Sequence, residues 1–312
     1  MLSLNIPQIQ YQYHAPISFG KGKRAHKETM DPEVREFYAT QKPYKKEEGT
    51  IGCAPIEVQE FYQEAKPYIK VAKENVYMLK MNQKNYLNKI MKEVNDLYLT
   101  AGSAVHPDNS KYEKTENGFV YKEYNGRFIT QEITRTDKKI KFVKSEGNNK
   151  KTITICDVEK GKDGREFITN TKHVTGYHKT GLGAISFDKE YIFEKGKLKK
   201  YTQNYMSDGK GNTQAGLEVS LGADGNACTI GKRNIMGEGC FCDNVAFFDS
   251  DGIIARFSKN LIVDVDGIQT VEKELYFEHN QPTKYILEGI KRGPIEENQR
   301  YAQFIGSSWC YM

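Results

Sequence analysis

Phe248-Asp249-Ser250-Asp251-Gly252-Ile253-Ile254-Ala255-Arg256-Phe257 decides the fold. Apolar residues flank an Asp-Gly pair, and such pairs readily take the positive φ angles that tight hairpins need. Further Asn-Gly or Asp-Gly pairs begin at 117, 125, 163, 208, 224 and 266, and none falls before residue 112. From there on, a succession of antiparallel strands is expected. Alternating or clustered β-branched and aromatic residues place them at 118–136, 139–144, 151–157, 166–175, 184–194, 198–205, 215–221, 244–248, 252–265, 270–277 and 283–290. That makes roughly a dozen strands.

Upstream the period changes. From Ile56 to Leu99 the residues Ile69, Ala72, Val76, Leu79, Tyr86, Ile90, Val94 and Leu97 recur at helical spacing, with polar Gln83 interrupting the stripe. Pro67 is expected to kink this helix or to start a second one, because proline lacks the amide that an interior turn uses. Ala101-Gly102-Ser103 ends it. One apolar stripe with a polar gap favours docking on the β region over a coiled-coil dimer. Residues 1–50 mix Gly, Pro, Tyr and charge without periodicity and read as a flexible arm, with a short helix near 32–39 and a basic stretch at Lys21, Lys23, Arg24 and Lys27. The expected organisation is an arm over 1–50, a helical segment over 51–110 and a β-rich domain over 111–312. The fold class is α+β, a long amphipathic helix followed by a large antiparallel meander that is open, rolled or barrel-like.

Composition bounds the function. The 312 residues include 38% hydrophobic residues, twenty Tyr, fifteen Phe and one Trp, which suits pleated, half-buried surfaces. A net charge of +5 sets solubility rather than partner choice. No apolar run reaches the length of a membrane span, and Met1 to Gly20 has neither the cationic start nor the unbroken apolar run of a Sec signal peptide. The default expectation is a cytoplasmic protein whose cysteines at 53, 156, 228, 240, 242 and 310 are free thiols, a default that non-classical export would overturn.

Three segments share a pattern: Phe193-Glu194 with Lys200-Tyr201, Phe248-Asp249 with Arg256-Phe257, and Phe277-Glu278 with Lys284-Tyr285. Each sets an aromatic and an acid before a turn, then a base and an aromatic after it. If the aromatics pair across a hairpin, the acid and base pair on its other face. The middle copy is one residue longer and needs a bulge to keep the pairing. Tyr121 to Phe128 is a fourth copy, with Glu123 but no matching base. Through Tyr191 to Tyr201 and Tyr121 to Phe128 the chain resembles bacterial MORN-like and YD-type hairpin repeats, over under a quarter of its length and without the later glycines of MORN units. That resemblance implies an elongated β meander used for binding or scaffolding. The aromatics of the repeated pattern, Tyr121, Phe193, Tyr201, Phe248, Phe257, Phe277 and Tyr285, are the candidate binding residues.

No catalytic signature stands out. Cys240 and Cys242 form a C-x-C pair, with Cys228 upstream and Cys310 or His279 as further ligand candidates, but structural zinc favours C-x2-C knuckles, and small buried residues account for them better. Asp249 to Gly252 and Asp264 to Gly267 resemble the start of calcium loops but lack the twelve-residue pattern, so hairpin turns explain them with fewer assumptions; Asp208 to Asn212 reads the same way. His173 and His178 have no nucleophile elbow beside them. Lys138, Lys139, Lys141, Lys144, Lys150 and Lys151 bracket a turn, with Phe142 among them. They fit either a single-stranded nucleic acid or the protective lysines of an edge strand, and the second reading is favoured. The leading expectation is a noncatalytic protein-binding or scaffold protein that needs no cofactor. The alternatives are a hydrolase-like enzyme with a dispersed site in the β domain and nucleic-acid binding through the 138–151 lysines.

Overall fold

The computed structural model describes residues 50–103, 112–116, 118–222, 225–236, 239–292, 295–305 and 308–311. Apart from Thr50, the arm, its short helix and its basic stretch lie outside them. A 3₁₀ turn at Thr50–Cys53 leads into α1 (Ile56–Ser103), a single helix of 48 residues. Its buried side is Val58, Phe61, Ala65, Ala72, Val76, Leu79, Ile90, Met91 and Val94, at intervals that fit the helical repeat. Pro67 neither ends nor restarts the helix. Its ring faces solvent, and the lost backbone bond, worth about 3 kcal/mol, is offset by the burial of Phe61, Ala65 and Ala72 around it. The polar gap at Gln83 has a partner as well: its Oε1 accepts the backbone N–H of Leu198 at 3.1 Å.

The β region begins with β1 (Tyr112–Thr115), β2 (Gly118–Asn125), β3 (Phe128–Arg135), β4 (Lys139–Gly147), β5 (Lys150–Lys160) and β6 (Glu166–Lys179). It continues through β7 (Ile185–Glu194), β8 (Lys197–Ser207), β9 (Thr213–Leu221), β10 (Asn226–Met236), β11 (Gly239–Phe248) and β12 (Ile254–Asp264). It ends with β13 (Gln269–Val271), β14 (Lys273–Glu278), β15 (Gln281–Arg292), β16 (Ile295–Ile305) and β17 (Ser308–Tyr311). The 17 strands form one antiparallel sheet. Both β13 and β14 pair with β12 and β15, so they are two halves of one strand interrupted at Glu272. The sheet is a meander rather than a closed barrel, and among the described residues β1 pairs only with β2 and β17 only with β16. It has more strands than the dozen expected, because the single span read at 118–136 holds both β2 and β3, that at 270–277 holds β13 and β14, and β1, β10, β16 and β17 fall outside every span read from the sequence.

One register row crosses the sheet: Tyr121, Ile133, Phe142, Thr154, His173, Tyr191, Tyr201, Val219, Cys228, Ala246, Phe257, Leu275, Tyr285 and Ala302 are successive cross-strand partners. α1 lies across this row. Phe61 meets Phe257 and Tyr285, Tyr86 meets Tyr191, and Met91 and Val94 pack with Tyr121, Ile133 and Ile140. The dimensions agree: 48 helical residues extend ~72 Å at 1.5 Å each, and some fifteen strand spacings of ~4.8 Å cover about the same distance. No described helix is long and apolar enough to cross a membrane.

A seam divides the sheet lengthwise. Gly176, Asn204, Gly231 and Asn260, on alternate strands, all have positive φ, and each lies against Asp188, Gly216, Asp243 or Glu272 of the next strand. On β10 the residues Gly231 and Lys232 together oppose Asp243, a bulge whose extra residue takes the left-handed conformation that glycine tolerates. The seam switches which residues face the helix. Ala246 packs beneath α1, whereas Cys242, of the same alternation, joins Val245, Leu261, Val271 and Ile286 in a separate cluster. We call the turns β3–β4, β5–β6, β7–β8, β11–β12 and β14–β15 the near end. The turns β2–β3, β4–β5, β6–β7, β8–β9, β10–β11 and β12–β13 are the far end, beyond the seam.

Candidate binding edge

The seven aromatic candidates do not reach solvent. Phe193, Tyr201, Phe248, Phe257, Phe277 and Tyr285 are buried in the core shared with α1, and Tyr121 is buried in the smaller cluster with Met91 and Val94. Their rings meet the chain's own helix: Phe61 lies 6.0 Å from Phe257 and 5.8 Å from Tyr285, and Tyr62 lies 6.4 Å from Phe277.

The expected cross-hairpin pairs are not formed. Phe193 faces Leu198, Phe248 faces Ile254 and Phe277 faces Pro282, while Tyr201, Phe257 and Tyr285 face Tyr191, Ala246 and Leu275. All three copies have a register shift directly before the Phe, which offsets the two aromatics along the strands while keeping both on the helix side. The bulge proposed to restore pairing in the middle copy is present and does the opposite. The bases do share the other face, and Lys200, Arg256 and Lys284 lie in one register row. Two of them find acids from strand interiors rather than from the turns: Lys200 pairs with Glu218 at 2.9 Å and Arg256 with Glu274 at 3.4 Å. Lys172 repeats the arrangement with Glu190 at 2.6 Å. The acids of the motif stay at the near-end tips, Glu194 opposite Lys197 and Glu278 opposite Gln281.

The metal candidates are parted by the sheet. Cys228 is buried under α1, Cys240 and Cys242 belong to the cluster on the opposite face, and His279 forms the near-end β14–β15 turn. Cys310 is an exposed thiol on β17. The calcium-like segments use their first oxygen on the backbone. Asp249 Oδ1 accepts N–H groups from Asp251 at 3.0 Å and Ile253 at 2.8 Å, and Asp264 accepts those of Asp266 and Ile268 at the same distances. Asp208 does likewise, and the Lys210 N–H holds its carboxyl below the usual range.

These belong to a wider pattern. The five-residue loops starting at Gly161, Thr180, Asp208, Asp249 and Asp264 each bond the first N–H to the fifth carbonyl, and each has a positive-φ glycine in fourth place. His173 lies on the helix side with Thr154 Oγ1 2.9 Å from its Nδ1, and burial pushes its pKa down to about 4, so the imidazole is neutral at pH 7. His178 is near the β4–β5 tip, Nδ1 3.3 Å from the Asn149 carbonyl.

The lysine patch is likewise divided. Lys138 and Lys139 line an open near-end cleft of about 730 Å³, together with Asp137, Asp157 and Glu159. Lys144, Lys150 and Lys151 lie toward the far-end tip, level with positions five to eight residues beyond Lys139 on β4, or ~17–26 Å away, with Lys141 between the two groups. Phe142 is buried, and β4 and β5 are interior strands, so these lysines do not guard an edge.

What the sequence did not reveal is the far end itself. Tyr124, Phe128 and Ile129 flank the β2–β3 tip, Leu182 the β6–β7 tip and Met206 the β8–β9 tip. Ile235 and Met236 flank the β10–β11 tip, and Ile262 and Val265 the β12–β13 tip. All are exposed, Leu182 to 96% and Phe128 to 80%. At the near-end turns, the large apolar side chains exposed among the described residues are Ile253, at 37%, and Ile305 beside the β16–β17 turn, at 52%. Gly181-Leu182-Gly183 carried the signal in sequence: an apolar residue framed by turn glycines has no core to enter. No family model, no curated protein and no solved structure matches this chain.

Proposed function

We propose that the protein is a noncatalytic binding or scaffold protein whose far-end row of hairpin tips docks a partner protein. The observation that supports this reading is the unequal placement of exposed apolar side chains at the two ends of the sheet, among the described residues nine at the far end against Ile253 and Ile305 at the near end. Singly such residues are ordinary, whereas a row of them bordered by polar groups marks an interaction surface. Successive far-end tips lie two strands, ~9.6 Å, apart, so the row from β2–β3 to β12–β13 covers about 50 Å. An extended protein surface fits that span better than a small ligand. Arg127, Lys150, Lys151, Lys179 and Lys210 supply the polar border. The resemblance to hairpin repeats that form elongated binding surfaces points the same way.

The test uses full-length protein as bait in parallel pull-downs. Leu182→Asp, Met236→Asp and Val265→Asp combined should reduce capture of a wild-type partner at least tenfold, a loss of about 1.4 kcal/mol or more. The near-end control Ile253→Asp should not. Equal loss from both, or a turnover abolished by one substitution in a pocket, would refute the reading.

A further inference from the structure

Cys240 and Cys242 bring their sulfurs to 3.7 Å on the face opposite α1. Arg233 of β10 is the register partner of Cys242. Its guanidinium is more than nine-tenths buried, with Nη2 3.0 Å from Glu218 Oε2 and Nε lacking a hydrogen-bond partner. A buried cation with a spare donor beside two thiols stabilises an anion there. The Cys240 thiol is drawn down to about 6, first by the hydrogen bond from Cys242 and then, against the effect of burial, by the charge of Arg233; Glu218 opposes the shift slightly. Cys242 is pushed up by the same hydrogen bond and stays protonated. The β12 register partners of the two cysteines, Val263 and Leu261, are uncharged. One sulfur is therefore a nucleophile and its neighbour carries a proton. The same guanidinium repels a metal cation, and Cys228 and His279 lie elsewhere.

We propose that Cys240 and Cys242 are a peroxide-responsive dithiol that closes to a disulfide within β11. The Cys240 thiolate attacks hydrogen peroxide, breaking the O–O bond and forming an S–O bond, and the departing hydroxide takes a proton to become water. The Cys242 sulfur, losing its proton, then attacks the Cys240 sulfenic acid, forming the S–S bond and expelling a second water. Two thiols lose two electrons in all, and the peroxide gains them. Residues two apart on a strand have Cα atoms ~6.6 Å apart, near the upper limit of ~6.8 Å for a disulfide, so the bridge is readily reduced by a small thiol. Cys240 is also the register partner of Ile235, beside the β10–β11 far-end tip.

Full-length protein treated with one equivalent of hydrogen peroxide should lose two hydrogens from the peptide holding both cysteines, and dithiothreitol should restore them. Cys242→Ser should leave a sulfenic acid on Cys240 that dimedone captures. Arg233→Lys should slow the reaction at pH 7 by about tenfold. Should that variant not fold, iodoacetamide labelling of the wild type serves instead, with Cys240 half-maximal near pH 6. The exposed Cys53 and Cys310 are internal controls. Labelling of Cys240 no faster at pH 7 than that of Cys53, or peroxide oxidation confined to Cys53 and Cys310, would overturn the proposal.

Discussion

The two ends of the sheet use the same loop for different purposes. The near-end loops starting at Gly161 and Asp249 and the far-end loops starting at Thr180, Asp208 and Asp264 close with the same backbone hydrogen bonds around a glycine in fourth place. In third place the near end has Asp163 and Asp251, whereas the far end has Leu182 in one loop; in second place Lys162 and Ser250 contrast with Val265. The geometry of the turn therefore does not require an apolar side chain. Exposed Leu182 and Val265 add nothing that Asp163 and Lys162 do not supply to an equivalent loop, which is why they support a docking role.

Substitutions can break this contrast or sharpen it. The largest expected effect lies under the helix: Phe257→Ala leaves a void against Phe61 and Tyr285, and thermal or denaturant unfolding should show a loss of about 3–5 kcal/mol. His173 gives the next. Its folded pKa of about 4 lies below the ordinary 6.5, so between those values the unfolded chain binds more protons than the folded one. Stability is fully present above pH 6.5 and declines as pH falls through about 4, by about 3 kcal/mol in total. His173→Gln should flatten that part of the profile in a urea titration. At the seam, Gly176→Ala places a Cβ against the Asp188 carboxylate at a φ of +65° and should cost about 1–2 kcal/mol in unfolding measurements. The smallest effect belongs to the far end, where Leu182→Asp and Val265→Ser should each change stability by less than about 0.5 kcal/mol. If calorimetry instead shows a loss comparable to that of Phe257→Ala, the tips are part of the fold and the contrast collapses.

Much of the architecture was legible because it depends on period. The 3.6-residue stripe from Ile69 to Val94 located α1, and alternation after residue 112 located the hairpins. Val58, Phe61 and Ala65 were missed because Pro67 suggested a break, and the lost amide is outweighed by packing that no local pattern displays. The Asp-Gly pairs marked turns correctly but not their kind. Four of them, at 163, 208, 251 and 266, lie in five-residue loops, while both central residues have positive φ in the tight turns Asn148-Asn149, Lys195-Gly196 and His279-Asn280. Both turn classes demand positive φ, so the dipeptide alone does not separate them. The aromatic repeat identified the residues that cover α1 but misassigned their partners, since a one-residue shift before Phe193, Phe248 and Phe277 alters register without altering face. The far-end apolar row was not legible, because exposure is decided by where strands stop relative to α1.

The polarity with which α1 crosses the strands bears on how the chain is made. Met91 and Val94, in its carboxyl-terminal half, rest on β2 to β4, which follow it closely in synthesis, whereas Phe61 near its start waits for Tyr285. In the order of synthesis, cover for the helix thus becomes available from its carboxyl-terminal half toward its amino end, one hairpin at a time. Until the final hairpins emerge, the apolar side of the first-made turns has no permanent cover, and shielding it in the interval is a task for whatever meets the chain at the exit tunnel.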